Sequence, residues 1–175
     1  MLKYALLFGS IAGTVIIAVM ALVLATADGD YTMSETLGYI VMVAVLSLVF
    51  IGIKRFRDVE QGGTIRFGRA LALGAGISAV ASLFYVASWE VFLAMTDYAF
   101  IEKYGGSLVA AAQDLPRAER EARIADIESS MELYRNPIMR YGISFIEIFP
   151  VGLIVALISA LLLKNPRIWP ARVAA

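Results

Sequence analysis

The chain contains no cysteine and no histidine, and these two absences restrict its chemistry. Without cysteine there are no disulfides, no thiolate nucleophiles and no thiolate ligands for a metal. Without histidine, this chain cannot itself build a Ser-His-Asp or Cys-His mechanism or a histidine-ligated zinc site. We therefore expect no catalytic residues, no metal and no cofactor. The 15 basic residues balance the 15 acidic ones, and this zero net charge gives no electrostatic support for a nucleic-acid partner.

What the chain has in excess is apolar residues, which make up 60% of it, against about 45–50% in soluble domains. They are concentrated in four blocks that charged stretches separate, and the mean hydropathy is +0.77. A helix of about 20 residues crosses a hydrocarbon core of about 30 Å. The pattern predicts one all-α membrane domain over residues 1–175, a four-transmembrane-helix bundle whose helices span about 4–27, 35–54, 68–95 and 138–163.

The first block has a second interpretation, because Ala25-Thr26-Ala27 before Asp28 resembles a signal-peptidase site. The apolar core of a signal peptide is typically about 7–15 residues long, and this block is longer. We therefore expect a retained helix, with cleavage as the alternative.

The segment of residues 96–137 is rich in charge and separates the third and fourth blocks. Its later part, about 116–135, predicts an extra amphipathic helix, because four apolar residues fall on one helical face: Ile124, Ile127, Met131 and Tyr134. Such a helix lies on lipid headgroups or folds back on the protein. Its five acids and four arginines favour packing on the protein.

The distribution of basic residues predicts the orientation of the helices. The link between the second and third blocks carries five basic residues, and the first link carries none. Because cytoplasmic loops are enriched in lysine and arginine, we expect both termini and the basic link in the cytoplasm, and segment 96–137 outside. The same five residues are candidates for binding anionic lipid headgroups, although topology signalling alone explains them: Lys54, Arg55, Arg57, Arg66 and Arg69.

Glu90 and Glu147 are acids within the apolar blocks. At a rise of about 1.5 Å per residue, Glu90 lies about 31 Å from Arg69, and Glu147 lies about 25 Å from Lys164. Both acids should therefore be nearer the outer face, at similar heights. Pro150, inside the fourth block, lacks a backbone N–H and predicts a kink in that helix.

Two interpretations of these acids remain open. Because intramembrane acids are costly, Glu90 and Glu147 could form a paired carboxylate site that shares a proton, binds a cation or recognises an amine. Alternatively they have separate structural roles, with Glu90 reaching the interface beside Trp89 and Glu147 hydrogen-bonded near Pro150.

Two stretches of the sequence resemble a known family. One is Arg57-Asp58 followed by residues 62–70 (GGTIRFGRA) and Gly74; the other is Asn136-Pro137 followed by residues 145–152 (FIEIFPVG). Together they resemble a domain-of-unknown-function family of small four-helix bacterial membrane proteins. The resemblance implies a multi-pass protein of the bacterial inner membrane. It supplies no catalytic residue.

Three functions are compatible with these features. The chain could be a non-enzymatic structural or accessory subunit, with membrane lipids, a second copy or another membrane protein as its partner. It could instead be a small oligomeric transporter or ion-coupled carrier that uses Glu90 and Glu147. An intramembrane enzyme would depend on carboxylates alone, and we rank it last.

Overall fold

The computed structural model describes residues 1–26 and 35–171, and every regular element in these residues is helical. The predicted first link and the end of the first block at Ala27 lie outside the described residues. A 3₁₀ turn, Ala112–Asp114, precedes the sixth α-helix. The α-helices are α1 Leu2–Thr26, α2 Glu35–Leu46, α3 Leu48–Glu60, α4 Phe67–Met95, α5 Ala99–Ala111, α6 Arg117–Arg135 and α7 Pro137–Leu163.

Among the described helices, three are long and apolar enough to cross a membrane by length and composition: Leu2–Val19 within α1, Phe67–Met95 and Pro137–Leu163. The predicted all-α class is therefore confirmed in the described residues, and three of the four predicted spanning helices are found there. The expected helix over 35–54 is divided at Ser47 into α2 and α3, and α3 continues to Glu60.

Ser47 explains the division in hydrogen-bonding terms. Its Oγ donates to the carbonyl of Ala44 at 2.6 Å, and the Phe50 amide turns back to the Ser47 carbonyl at 3.0 Å. Serine that bonds to its own helix backbone in this way weakens the regular ladder. The chain nevertheless keeps its direction, since the Ser47 amide still donates to the carbonyl of Val43 at 2.9 Å.

The long helix α4 lies between α1 and α7, and α3 contacts all three of them. Small residues allow the close approach of α4 to α7, because a Cβ added to Gly74 would lie 2.6 Å from Cβ of Ala156. Ser78 and Ser82, on the same face of α4, are fully buried. Without a hydrophobic driving force between helices in lipid, such close packing is the main attraction.

The helices α5 and α6 form a hairpin beyond the end of α4, and we call this side of the molecule the hairpin end. Ile127 of α6 is buried, and Met131 and Tyr134 pack against a cluster formed by Phe92, Leu93 and Ile101. This face of α6 therefore packs on protein. The opposite side, where residues 61–66 join α3 to α4, is the linker end.

Helix α7 runs as one helix through Pro150. The kink expected at this proline stays a prediction. Asn136 caps the start of α7, since its side chain accepts a hydrogen bond from the Ile138 amide at 3.0 Å.

Candidate functional site

The acid Glu90 is paired with an arginine at the hairpin end. Arg140, in the first turn of α7, donates from Nη2 to Oε1 of Glu90 at 2.6 Å and from Nε to Oε2 at 3.0 Å. Its side chain is 3% exposed, and that of Glu90 is 24% exposed. Two parallel charge-assisted hydrogen bonds of this kind are among the strongest that side chains make.

Arg140 also holds the end of α6. Its Nη1 donates to the carbonyls of Tyr134 and Arg135 at 3.2 and 3.3 Å. The last carbonyls of a helix have no partner within the helix, and a buried cation satisfies them and complements the helix dipole. One side chain therefore fastens α4, α6 and α7 together.

Tyr98 completes the surroundings of Glu90 from the turn between α4 and α5. Its hydroxyl donates to Oε1 of Glu90 at 3.0 Å, and its ring centroid lies 5.3 Å from Cζ of Arg140. The residue has a positive φ of 58°, as does its neighbour Asp97 at 50°. The hydrogen bond to Glu90, with the negative charge of that acid, raises the pKa of Tyr98 above its ordinary value.

An aromatic group lies next to this ion pair. The indole N–H of Trp89 donates to the hydroxyl of Tyr134 at 2.7 Å, which joins α4 to α6. The Trp89 ring stacks on Phe92 and meets the edge of Phe100, with centroids 5.2 and 5.1 Å away. Burial raises the pKa of Tyr134, so its phenol stays neutral. We call Glu90, Trp89, Tyr98, Tyr134 and Arg140 the hairpin junction.

Glu147 has a different environment. Its side chain is exposed on the surface of α7, and its Oε2 accepts a hydrogen bond from the hydroxyl of Tyr85 at 3.3 Å. The structure brings Glu90 to Arg140 rather than to Glu147. The two acids that sequence reasoning selected therefore have separate hydrogen-bond partners.

Sequence reasoning missed Arg140. This residue lies in the first turn of α7, and its side chain is buried. The height argument that located Glu90 near the hairpin end could have found it, because the start of the fourth block lies at the same end. An acid of one span near a cation of another predicts a pair.

At the linker end, the structure corrects one candidate for lipid contact. Arg57 is fully buried, and its Nε donates to Oδ1 of Asp58 at 2.7 Å. Its Nη1 donates to the carbonyl of Ile168 at 3.1 Å, and its Nη2 donates to that of Trp169. A side chain that is enclosed in this way cannot reach headgroups. Arg57 instead fastens the segment after α7.

The other four candidates for lipid-headgroup contact differ in their exposure and in their side-chain contacts. Lys54 is half-buried and forms an ion pair with Asp58. Arg69 is exposed and donates to the side chain of Gln61 at 2.8 Å. Arg55 and Arg66 are exposed. Among the residues that the structure describes, no group of three or more acidic side chains could hold a metal ion.

The three apolar helices, held side by side with few charges between them, suggest the class of multi-pass membrane proteins. Comparison with known families gives the narrower assignment. The chain belongs to the DUF4199 family, described as a protein of unknown function, whose sequence model matches residues 7–165. The predicted resemblance to a domain-of-unknown-function family is therefore confirmed. No curated protein and no solved structure matches the chain.

Proposed function

We propose that this protein is a non-enzymatic, multi-pass protein of the bacterial inner membrane that acts as a structural or accessory subunit. The observation that carries the proposal is the pairing of Glu90. A carrier needs an acid that can release and rebind its cargo, whereas Glu90 accepts two hydrogen bonds from Arg140 and a third from Tyr98. An acid that is bound in this way stabilises the contact between helices.

In this proposal α2 and α3 together make a fourth crossing. From Glu35 to Ile53, before the charged run that begins at Lys54, the chain would measure about 27 Å as a continuous helix, which is close to the hydrocarbon core of about 30 Å. One side of this pair lies in the protein core, where Leu46, Val49 and Ile53 are 0–1% exposed. The backbone bond across Ser47 supports a continuous direction.

Two contacts support a common side for both termini. The hydroxyl of Tyr4 donates to Oε1 of Glu60 at 3.0 Å, so the start of α1 lies beside the end of α3. Arg57 binds the carbonyls of Ile168 and Trp169, so the segment after α7 lies there too. With the basic link at the same end, the positive-inside rule makes this side cytoplasmic.

The partners we propose are membrane lipids and either a second copy or another membrane protein. The exposed cations Arg55, Arg66 and Arg69 lie near the linker end, where they would meet anionic headgroups. Large apolar side chains also cover the outside of the helices; Leu83, Val91 and Ile146 are 58–68% exposed. These surfaces fit lipid chains or a neighbouring helix.

Orientation can be measured by cysteine labelling, because the chain has no cysteine of its own. We expect an impermeant maleimide to label Gln113→Cys in intact spheroplasts, since this residue is exposed at the hairpin end. Thr64→Cys, exposed in the linker, should be labelled only after permeabilisation. Labelling of Thr64→Cys from outside would reverse the proposed topology.

The functional proposal is tested by separating stability from transport. In proteoliposomes we expect Glu90→Gln to lower the unfolding temperature and to change no solute uptake. Glu128→Gln, at an exposed acid of α6, is the matched control and should alter neither quantity. Loss of saturable uptake of a solute in Glu90→Gln, with an unchanged unfolding temperature, would refute the structural role.

The alternative function is a small oligomeric carrier. One observation favours it. The carboxylate of Glu147, within α7, is exposed, and in the described part of the chain its hydrogen-bond donor is the neutral hydroxyl of Tyr85. A bundle this small would need a second copy to enclose a path. Saturable, Glu147-dependent uptake in the same liposomes would support this function.

A further inference from the structure

The position of Glu147 along α7 places it inside the apolar part of a span. The helix has 27 residues, and Glu147 is about 15 Å beyond its start at Pro137 and about 24 Å before its end. A hydrocarbon core of about 30 Å centred on this helix would put Glu147 about 10 Å inside the boundary. An acid at that depth has to be neutralised by a proton or a cation.

Glu147 is exposed at the edge of the contact between α7 and α4, where its carboxylate meets Tyr85. The residues beside it on α7, Ile143 and Ile146, are 43% and 68% exposed, so the carboxylate opens on an apolar surface. Arg140, on the same helix, is already bound by Glu90. Within the described part of the chain, nothing recorded supplies a cation to Glu147.

One aromatic side chain of α4 approaches the carboxylate. Because the hydroxyl of Tyr85 is 3.3 Å from Oε2 of Glu147, the Tyr85 ring lies next to the acid. That ring stacks on Trp89, with centroids 6.5 Å apart and an angle of 10° between the planes. Trp89 therefore supports the Tyr85 ring, and it is the hydroxyl of Tyr85 that meets the acid. A carboxylate next to an aromatic side chain on an apolar surface combines the charge and the apolar contact that suit an organic cation.

We propose that Glu147, with the neighbouring Tyr85, forms a binding site for a hydrophobic organic cation that enters sideways from the bilayer. The carboxylate supplies the opposite charge, and the Tyr85 ring together with Ile143 and Ile146 supplies apolar contact. A divalent metal ion fits poorly, because calcium or magnesium needs about six oxygen ligands and this site offers one carboxylate and one hydroxyl. The inference goes beyond the proposed accessory role, which does not require such a site.

The test uses the full-length chain in lipid nanodiscs and labelled tetraphenylphosphonium as the probe. We expect saturable binding of about one cation per chain, weakened at least ~10-fold in Glu147→Gln, which corresponds to about 1.4 kcal/mol. Tyr85→Phe should weaken binding less, because the ring remains. Glu128→Gln, at an exposed acid outside the spans, is the control and should bind like the wild type.

Protons should compete with the probe for the same carboxylate. The affinity of the wild type should therefore fall as the pH is lowered, and the weak binding to Glu147→Gln should not change with pH. Of the groups that face the acid, Tyr85 and Tyr134 are phenols, which carry no positive charge. Arg140 stays charged throughout, so neither phenols nor arginine would produce the competition.

A second measurement needs no variant. Dicyclohexylcarbodiimide, which modifies protonated carboxyls in apolar surroundings, should label Glu147 in the wild type, and tetraphenylphosphonium should protect it. Three results would overturn the proposal: equal binding to wild type and Glu147→Gln, no saturable binding, or labelling that the cation does not reduce. A change in oligomeric state in Glu147→Gln with unchanged cation binding would assign the acid to a subunit contact instead.

Discussion

Replacing Arg140 should destabilise the protein more than replacing its partner Glu90. In Arg140→Met, four hydrogen bonds are lost: two to Glu90 and two to the last carbonyls of α6. Removing one member of a buried ion pair costs about 3–5 kcal/mol, because the other charge is left uncompensated. Glu90 is 24% exposed and can be partly solvated, so we expect a value near the lower end, about 3 kcal/mol.

Glu90→Gln removes the counter-charge of a guanidinium that is only 3% exposed, but the new amide oxygen can still accept a hydrogen bond from it. We therefore expect a smaller cost, about 1–3 kcal/mol. The guanidinium keeps both carbonyls of α6 in this variant. The double variant Glu90→Gln, Arg140→Met should cost less than the sum of the two single changes, with a coupling of about 1–3 kcal/mol, because the two side chains share one contact.

The free energy of unfolding can be measured in mixed micelles from the fluorescence of Trp89. Trp169 is the other tryptophan of the chain, and Trp169→Phe removes its signal. Arg167→Met, at an exposed arginine, is the matched control and should change stability by less than about 0.5 kcal/mol. If Arg140→Met is no more destabilising than this control, or if the two single changes are additive, the pair does not hold the helices together.

Two further predictions concern packing and the linker end. Gly74→Ala should destabilise the protein by about 1–3 kcal/mol, because the added Cβ would lie 2.6 Å from Cβ of Ala156. Gly142→Ala is the control and should not destabilise it, since a Cβ there meets open space. Thermal unfolding of the two variants measures the difference. Arg57→Met should release the segment after α7 and so speed tryptic cleavage of that segment at the exposed Arg167. Arg55→Met is the control and should leave the cleavage rate unchanged. Equal rates in the two variants would refute the role of Arg57 in holding this segment.

The long helices could be predicted from the sequence, but the break between α2 and α3 and the short helix α5 could not. Apolar runs of sufficient length lie where α4 and α7 occur, and an amphipathic repeat lies where α6 occurs. The break at Ser47 could not be predicted, because a single serine is common in membrane helices. Its hydrogen bond to the carbonyl of Ala44 depends on the rotamer that the side chain adopts. Helix α5 contains Gly105-Gly106, which weakens any helical signal.

The candidate site was predicted only in part, because a sequence indicates how far along its helix a residue lies but not which distant residue it contacts. Glu90 and Glu147 stand out as acids in apolar blocks, but the partner of Glu90 is 50 residues away in Arg140. Arg57 was read as one of several topology signals, and its acceptor Ile168 is 111 residues away. A cation in a basic run looks the same whether it faces headgroups or is enclosed by the chain.

The two buried arginines explain how the polar groups of this molecule are used. Arg140 at the hairpin end and Arg57 at the linker end each bind one acid and two backbone carbonyls. Each therefore ties a segment outside the long helices to the bundle, where an unpaired charge would be costly. Glu147 differs from both, since its recorded partner is a neutral hydroxyl and its side chain is exposed. Structural demands account for the two arginines and their acids, and Glu147 is the acid for which we propose a partner from outside the chain.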